Sequence, residues 1–181
     1  MGKLLWIACI LLFFANLTSA QVPSGNVFFG YSYYNTNLSS INRSNTNGWE
    51  ASVEGKIIPW VAIVADFDAH YGSEKFPTLC PVPAVVCSAN ADFTEHDYLL
   101  GPRVSVSIAK IRPFAEALLG AAHVHVNGIT SDTSLATAVG GGLDYKLFPL
   151  VAWRVQGDYL HTHFSATQNS VRLSTGIVIH F

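Results

Sequence analysis

The last eleven residues alternate between two kinds of side chain. In Val171–Phe181 the odd positions carry Val, Leu, Thr, Ile and Phe, whereas Arg172, Ser174 and His180 occupy even positions. Successive side chains of a β-strand point to opposite faces of the sheet. The segment is therefore predicted to form a strand with one apolar and one polar face, and the chain ends on an aromatic residue of the apolar face.

The same alternation recurs along the chain. Half of the residues are apolar and only 12% are charged, but no uninterrupted apolar stretch beyond residue 20 approaches the roughly 20 residues of a membrane-spanning helix. Segments rich in Val, Ile, Thr and aromatic residues, bounded by turn residues, indicate strands. Eight are predicted: Val27–Asn35, Trp49–Ile58, Trp60–Gly72, Asp97–Ala109, Arg112–Val126, Ser134–Leu147, Val151–Phe164 and Val171–Phe181.

The predicted connections alternate in length. The tight ones lie at Ile58-Pro59, Lys110-Ile111 and Phe148-Pro149. The longer ones are Thr36–Gly48, Ser73–His96, Asn127–Thr133 and Ser165–Ser170. A transmembrane strand needs only about 9–11 residues, and strands in lipid must close into a barrel to satisfy their backbone groups. The pattern predicts an all-β, eight-stranded antiparallel up-and-down transmembrane β-barrel.

The N-terminus carries the features of an export signal. Lys3 precedes an apolar run from Leu4 to Phe14, and the small residues Thr18-Ser19-Ala20 follow it. We predict a signal peptide over residues 1–20 and a barrel domain over residues 21–181. An uncleaved anchor is the alternative, but the run is short for a spanning helix.

In each predicted strand, the positions that alternate with the apolar ones face the barrel interior, and several of them carry charged residues. Acids and bases that meet in a narrow lumen offset the cost of desolvation by pairing, and an eight-stranded barrel is just wide enough for side chains to fill. A structural plug of salt bridges is the favoured interpretation, and an ion-conducting pathway is the alternative. The predicted lumen network consists of Glu54, Asp66, Arg103, Glu116, Arg154 and Asp158.

Strand pattern, length and the final aromatic residue together resemble the membrane domain of the OmpA-like family, which includes small outer-membrane β-barrel-domain proteins. The resemblance implies residence in the bacterial outer membrane, in contact with lipid and lipopolysaccharide. It also implies that Phe181 is a C-terminal insertion signal recognised by the barrel insertion machinery, and that the long loops contact an extracellular ligand. No cofactor is predicted, and the net charge of −2 without a basic run argues against nucleic-acid binding.

Two cysteines lie in the longest predicted loop. Cys80 and Cys87 form an even pair in an exported chain, which favours a disulfide. A two-cysteine metal site is the less favoured alternative. The predicted effect of the disulfide is to stiffen a surface loop.

Six of the seven histidines fall near the long-loop end: His70, His96, His123, His125, His161 and His163. A metal-binding or pH-responsive rim is one interpretation. The pairs His123/His125 and His161/His163, however, lie on strands that are not neighbours. We therefore favour polar rim residues that contact lipid headgroups, and we predict no metal site.

One short motif raises the question of an enzyme. His163-Phe164-Ser165 loosely resembles the His-x-Ser element of lipid A deacylases, but no Asp or Glu follows it. The sequence thus predicts a non-enzymatic outer-membrane barrel with a structural or surface-loop adhesion role. A small gated pore and, less favoured, a lipid A-modifying enzyme are the alternatives.

Overall fold

The computed structural model describes residues 24–36, 44–79, 86–126, 130–163 and 167–181. The predicted signal peptide lies outside these ranges. Strands account for nearly all of the described chain. They are β1 (Gly25–Thr36), β2 (Ser44–Ile58), β3 (Val61–Leu79), β4 (Val86–Ser105), β5 (Ile111–Val126), β6 (Thr130–Phe148), β7 (Val151–His163) and β8 (Thr167–His180). Within the described ranges, no helix is long and apolar enough to cross a membrane.

The strands close into a barrel in sequence order. Each pairs antiparallel with the next, and β1 pairs with β8 from Asn26↔His180 to Thr36↔Ser170. Because closure leaves no strand edge, every strand has a hydrogen-bonding partner on both sides. The predicted eight-stranded up-and-down barrel is confirmed.

Tight turns occupy one end of the barrel, which we call the short-turn end; the opposite end is the long-loop end. The turns lie at residues 59–60, 109–110 and 149–150. The register of β2 with β3 shifts between Lys56 and Ile58, and that of β6 with β7 shifts between Lys146 and Phe148. Ala109 adopts a φ of 55°, a left-handed conformation that is common in two-residue hairpin turns.

The prediction that Ser73–His96 is a long loop was wrong in extent. β3 and β4 stay paired up to Leu79↔Val86, so most of this segment is a continuous two-stranded ribbon. Backbone pairing between neighbouring strands needs no apolar alternation. The alternating pattern marks only where a strand faces a non-aqueous surface, which explains why the predicted strands stopped early.

Large apolar side chains cover the outside of the barrel. Aromatic residues lie exposed near both ends, among them Trp60, Phe148 and Trp153 towards the short turns and Tyr71 and Tyr98 towards the long loops. Aliphatic side chains fill the band between them. They include Val53, Ile63, Leu100, Val104, Leu119, Val139, Leu143, Val155, Leu173 and Ile177.

Aromatic residues near both ends of the predicted strands indicate two outer girdles at the membrane interfaces, with Phe114 and Tyr34 among their members. These two residues instead lie inside the barrel. Phe114 and Tyr34 are buried, and Tyr34 stacks on His70 with ring centroids 4.8 Å apart. The expectation rested on their positions near the strand ends. Alternation along the strand decides which way they point, because Phe114 lies two residues from Glu116 and shares the inward face of β5 with it.

Candidate functional site

The lumen contains a cluster of three arginines and three acids near the short-turn end. Nε of Arg103 donates to Glu116 over 2.7 Å, and its Nη1 donates to Glu54 over 3.0 Å. Arg112 also donates to Glu54. We call this group the lower cluster; its members are Glu54, Arg103, Arg112, Glu116, Asp144 and Arg154.

Arg154 completes the lower cluster. Its Nε donates to Oδ1 of Asp144 over 2.6 Å and its Nη2 to Oδ2 over 2.9 Å, a bidentate pair. Its guanidinium lies 4.7 Å from the ring centroid of Phe114, and that of Arg103 lies 4.3 Å from the same centroid. Phe114 therefore makes cation–π contacts with both guanidinium groups.

A second cluster surrounds Arg172 in the long-loop half. Its guanidinium lies 2.9 Å from Oδ2 of Asp158 and 2.8 Å from Oδ1 of Asp66, and it also pairs with Asp68 and Glu50. Neutral groups complete the shell. Gln156 donates to Glu50 over 2.5 Å and to Asp158 over 3.3 Å, and Ser174 donates to Glu50. We call this group the upper cluster.

The two clusters differ in charge balance. In the lower cluster three guanidinium groups face three carboxylates. In the upper cluster a single guanidinium pairs with four carboxylates. Glu95 and Asp97 are also buried on this side, and neither oxygen of Asp97 has a hydrogen-bond partner among the described residues. Formal negative charge is therefore concentrated in the long-loop half of the lumen.

All six predicted network residues are buried in the lumen. Arg103, Glu54 and Glu116 come together, and Arg154 reaches this group through Asp144 and a 4.0 Å approach to Glu54. Asp66 and Asp158 instead lie against Arg172. The prediction omitted Arg112 and Arg172 because inward parity identifies a lumen residue but does not identify its partner across the barrel.

Apolar side chains fill the rest of the lumen. One buried cluster comprises Tyr34, Val64, Leu99, Leu118, Ala122, Ala136, Ala138 and Leu160, and a smaller one comprises Phe28, Ala152 and Val178. At the short-turn mouth a cavity of about 320 Å³ is lined by residues that include Lys56, Lys110, Lys146 and His180. The lumen is therefore packed with side chains, and a cavity lined by basic residues opens at its short-turn end.

The rim histidines divide between two faces. His70 is inside the lumen, where Nε2 lies 2.9 Å from Oγ of Ser32 and Nδ1 lies 3.2 Å from Asp68. His96, His123, His125 and His161 lie on the outer face. Among the described residues, no group of three or more His, Cys, Asp or Glu side chains is placed to hold a metal ion.

Two predicted features cannot be compared with the structure. Cys80 and the side chain of Cys87 lie outside the described residues, as do Ser165 and the side chain of His163. The disulfide and the His-x-Ser element therefore stay predictions.

Comparison with solved structures identifies the same fold in outer-membrane proteins. Neisserial surface protein A matches with a TM-score of 0.68 and 16% identity over 87% of this chain and 97% of that one. The attachment invasion locus protein Ail of Yersinia pestis matches with a TM-score of 0.59 and 14% identity, over 88% and 99% of the two chains.

The N-terminal β-barrel domain of Pseudomonas aeruginosa OprF matches with a TM-score of 0.53 and 13% identity, over 88% of this chain and 98% of that domain. No protein-family model matches the sequence, and no curated protein matches it significantly. All three structures are outer-membrane eight-stranded β-barrels, so the predicted resemblance is confirmed at the level of the fold.

Proposed function

We propose that this protein is an integral outer-membrane β-barrel with a filled polar lumen and a structural or surface-loop adhesion role, without enzymatic activity. One observation carries the proposal: the barrel buries most of its charged side chains and exposes most of its large apolar ones. Phe29, Val139 and Phe148 are 63%, 63% and 67% exposed, whereas Arg103, Arg154 and Arg172 are fully buried.

This distribution is the inverse of that in a water-soluble β-barrel. A soluble monomer rarely exposes an apolar area as extensive as a continuous belt around its circumference. Contact with lipid hydrocarbon removes the free-energy cost of exposing that apolar belt to water. Aromatic residues at the two ends of the belt are typical of the two membrane interfaces. The fold shared with three outer-membrane barrels and the predicted signal peptide both support the outer membrane as the location. In that location the apolar belt contacts lipid and lipopolysaccharide.

The packed lumen supports a structural role over a pore. The two salt-bridge clusters and the buried apolar residues leave every residue of the two clusters 8% exposed or less. Gating would require several buried pairs to separate together, and breaking a buried pair costs about 3–5 kcal/mol.

The β3–β4 ribbon supports the adhesion role. It continues eight residues beyond Tyr71, from the aromatic girdle to Leu79, which corresponds to roughly 27 Å along a strand. A paired ribbon of this length has a fixed backbone, so a partner binds it at little further cost in backbone entropy. The Ail protein, which shares the fold, is described as an attachment invasion locus protein.

Membrane residence is tested by fractionation and gel mobility. The chain is expected in the outer-membrane fraction, and unboiled samples are expected to migrate differently from boiled ones on an SDS gel. A periplasmic protein with a single mobility would contradict the proposal.

The adhesion role is tested by shortening the ribbon. Joining the paired residues Ser73 and Asp92 through an Asn-Gly turn removes the distal hairpin and preserves the barrel register. Cells that express this variant should lose binding to host cells or matrix, whereas a matched variant with residues 127–129 replaced by Asn-Gly should keep it. Equal binding by both variants, with heat-modifiable barrels in each, would overturn the adhesion role.

A further inference from the structure

Two histidines face each other on the outer surface of the barrel. His96 of β4 is directly opposite His123 of β5 in the strand register. Both point outward, because Asp97 and Ala122 beside them are buried in the lumen. Directly opposite side chains on neighbouring strands have Cβ atoms about 4.5–5.5 Å apart. Two imidazoles thus project from adjacent points of one face.

One of the two rings is held by a hydrogen bond. Nδ1 of His123 lies 2.7 Å from Oγ1 of Thr133 on β6. When Nδ1 donates its proton to that hydroxyl, Nε2 carries the lone pair and is free to bind a cation. Metal-binding histidines are commonly oriented in this way through the ring nitrogen that does not contact the metal.

The pair is accessible from outside the barrel. On the other side of His96 its register partner is Ala69 of β3, a small residue that is fully buried. Tyr98 lies two residues closer to the belt, so the pair sits at the long-loop edge of the apolar surface. His96 and His123 are both partly exposed, and an ion reaches them without any opening of the barrel.

We propose that His96 and His123 form a cross-strand binding site for a divalent transition metal that prefers imidazole ligands, such as Zn²⁺, Cu²⁺ or Ni²⁺. The described side chains form no closed cage around this position. The site is therefore an open one with two protein ligands, and its remaining coordination positions face water or anionic headgroups.

The chain contains a matched control for this site. His161 also lies on the outer face, and its Nδ1 is 2.6 Å from Oδ1 of Asn169. Its register partners, however, are Thr137 and Asn169. His161 therefore shares the ring-orienting contact of His123 and lacks a histidine directly opposite.

The test uses the full-length, untagged protein extracted from membranes in detergent. Retention on a Ni²⁺-charged resin and calorimetric titration with Zn²⁺ are compared for the wild type and for His96→Ala, His123→Ala and His161→Ala. The expected result is binding by the wild type and His161→Ala, and loss of binding in the other two variants. Thr133→Val is expected to weaken Zn²⁺ binding by about tenfold, because it removes the contact that orients His123.

Gel mobility before and after boiling verifies that every variant is a closed barrel. A Cu²⁺ electron paramagnetic resonance spectrum gives an independent readout, since two coordinated nitrogens produce a hyperfine pattern that His96→Ala and His123→Ala should each abolish. Wild-type protein that binds none of these metals, or binding that survives in both His96→Ala and His123→Ala, would overturn the proposal. Loss in His161→Ala alone would do the same.

Discussion

Asp158 and Arg172 are directly opposite partners on β7 and β8, and Nη2 of Arg172 donates to Oδ2 of Asp158 over 2.9 Å inside the lumen. The same guanidinium reaches Asp66 of β3 at 2.8 Å. Arg172 therefore connects the closing strand both to its neighbour and to a strand across the barrel. It is also the only guanidinium paired with the acids of the upper cluster among the described residues.

We expect Arg172→Met to destabilise the barrel by about 3–5 kcal/mol, because four carboxylates then lose their shared cation. Urea-induced unfolding in detergent micelles, followed by tryptophan fluorescence, measures the change in the free energy of unfolding. Lys110→Met, which removes an exposed cation at the short-turn mouth, is the control and should have little effect. Equal destabilisation by the two substitutions would show that the upper cluster contributes no specific stability.

Asp97→Asn and Asp158→Asn should differ in their effect on the stability of the barrel. Asp158 accepts hydrogen bonds from Arg172, so its amide variant should lose about 1–3 kcal/mol. Neither carboxylate oxygen of Asp97 has a described hydrogen-bond partner, and the amide replaces a buried carboxyl group that forms no described salt bridge. The same urea titration should show unchanged or higher stability for Asp97→Asn, and a loss as large as that of Asp158→Asn would contradict the charge imbalance.

Gly140 leaves space for the upper cluster. It is opposite Asp158 in the β6–β7 register, and a Cβ at this position would collide with the Asp158 side chain and with the backbone of Gly157. Gly140→Ala should therefore displace Asp158 and lower stability by about 1–3 kcal/mol. A Cβ at Gly55 meets no atom within 4 Å, so Gly55→Ala is the control and should be tolerated.

A charge on the outer belt tests the environment of that surface. Val155 lies between the outward aromatics Trp153 and Tyr159 on β7, and Val155→Arg should cost about 2–4 kcal/mol in lipid bilayers. Leu150→Arg, in the turn at the short-turn end, should cost about 0–1 kcal/mol because the penalty falls near the interface. Similar losses for both variants in unfolding from liposomes would argue against a membrane-embedded belt.

Ion conductance distinguishes a plug from a pore. Wild-type protein reconstituted in planar bilayers is expected to give no sustained single-channel current, because charged and apolar side chains fill the lumen. Arg154→Ala removes a large buried side chain from the lower cluster, and currents that appear only in this variant would be consistent with the plug. Regular channel openings by the wild type, altered in Arg103→Ala, would favour the gated pore.

The sequence by itself determined the number of strands, the antiparallel closure and the charged character of the lumen. Closure follows from the need of strands in lipid to pair every backbone group. The charged lumen follows from a period of two along each strand, which is a local property that the pleat of the backbone imposes on any extended segment. Glu54, Asp66 and Arg103 could be assigned to the interior for this reason alone. The inward positions of Phe114 and Tyr34 obey the same rule, and the girdle assignment from their distance to the strand ends conflicted with it.

Only the tertiary structure decided which residues meet. Arg172 pairs with Asp66 because closure brings β8 and β3 to facing walls of one lumen, and His96 faces His123 because the register of β4 with β5 aligns them. Side-chain direction depends on the backbone of a single residue and its neighbours. Which residues pair depends on the register of each strand pair and on the stagger with which the barrel closes. Contacts among all eight strands fix both, and no local pattern specifies them.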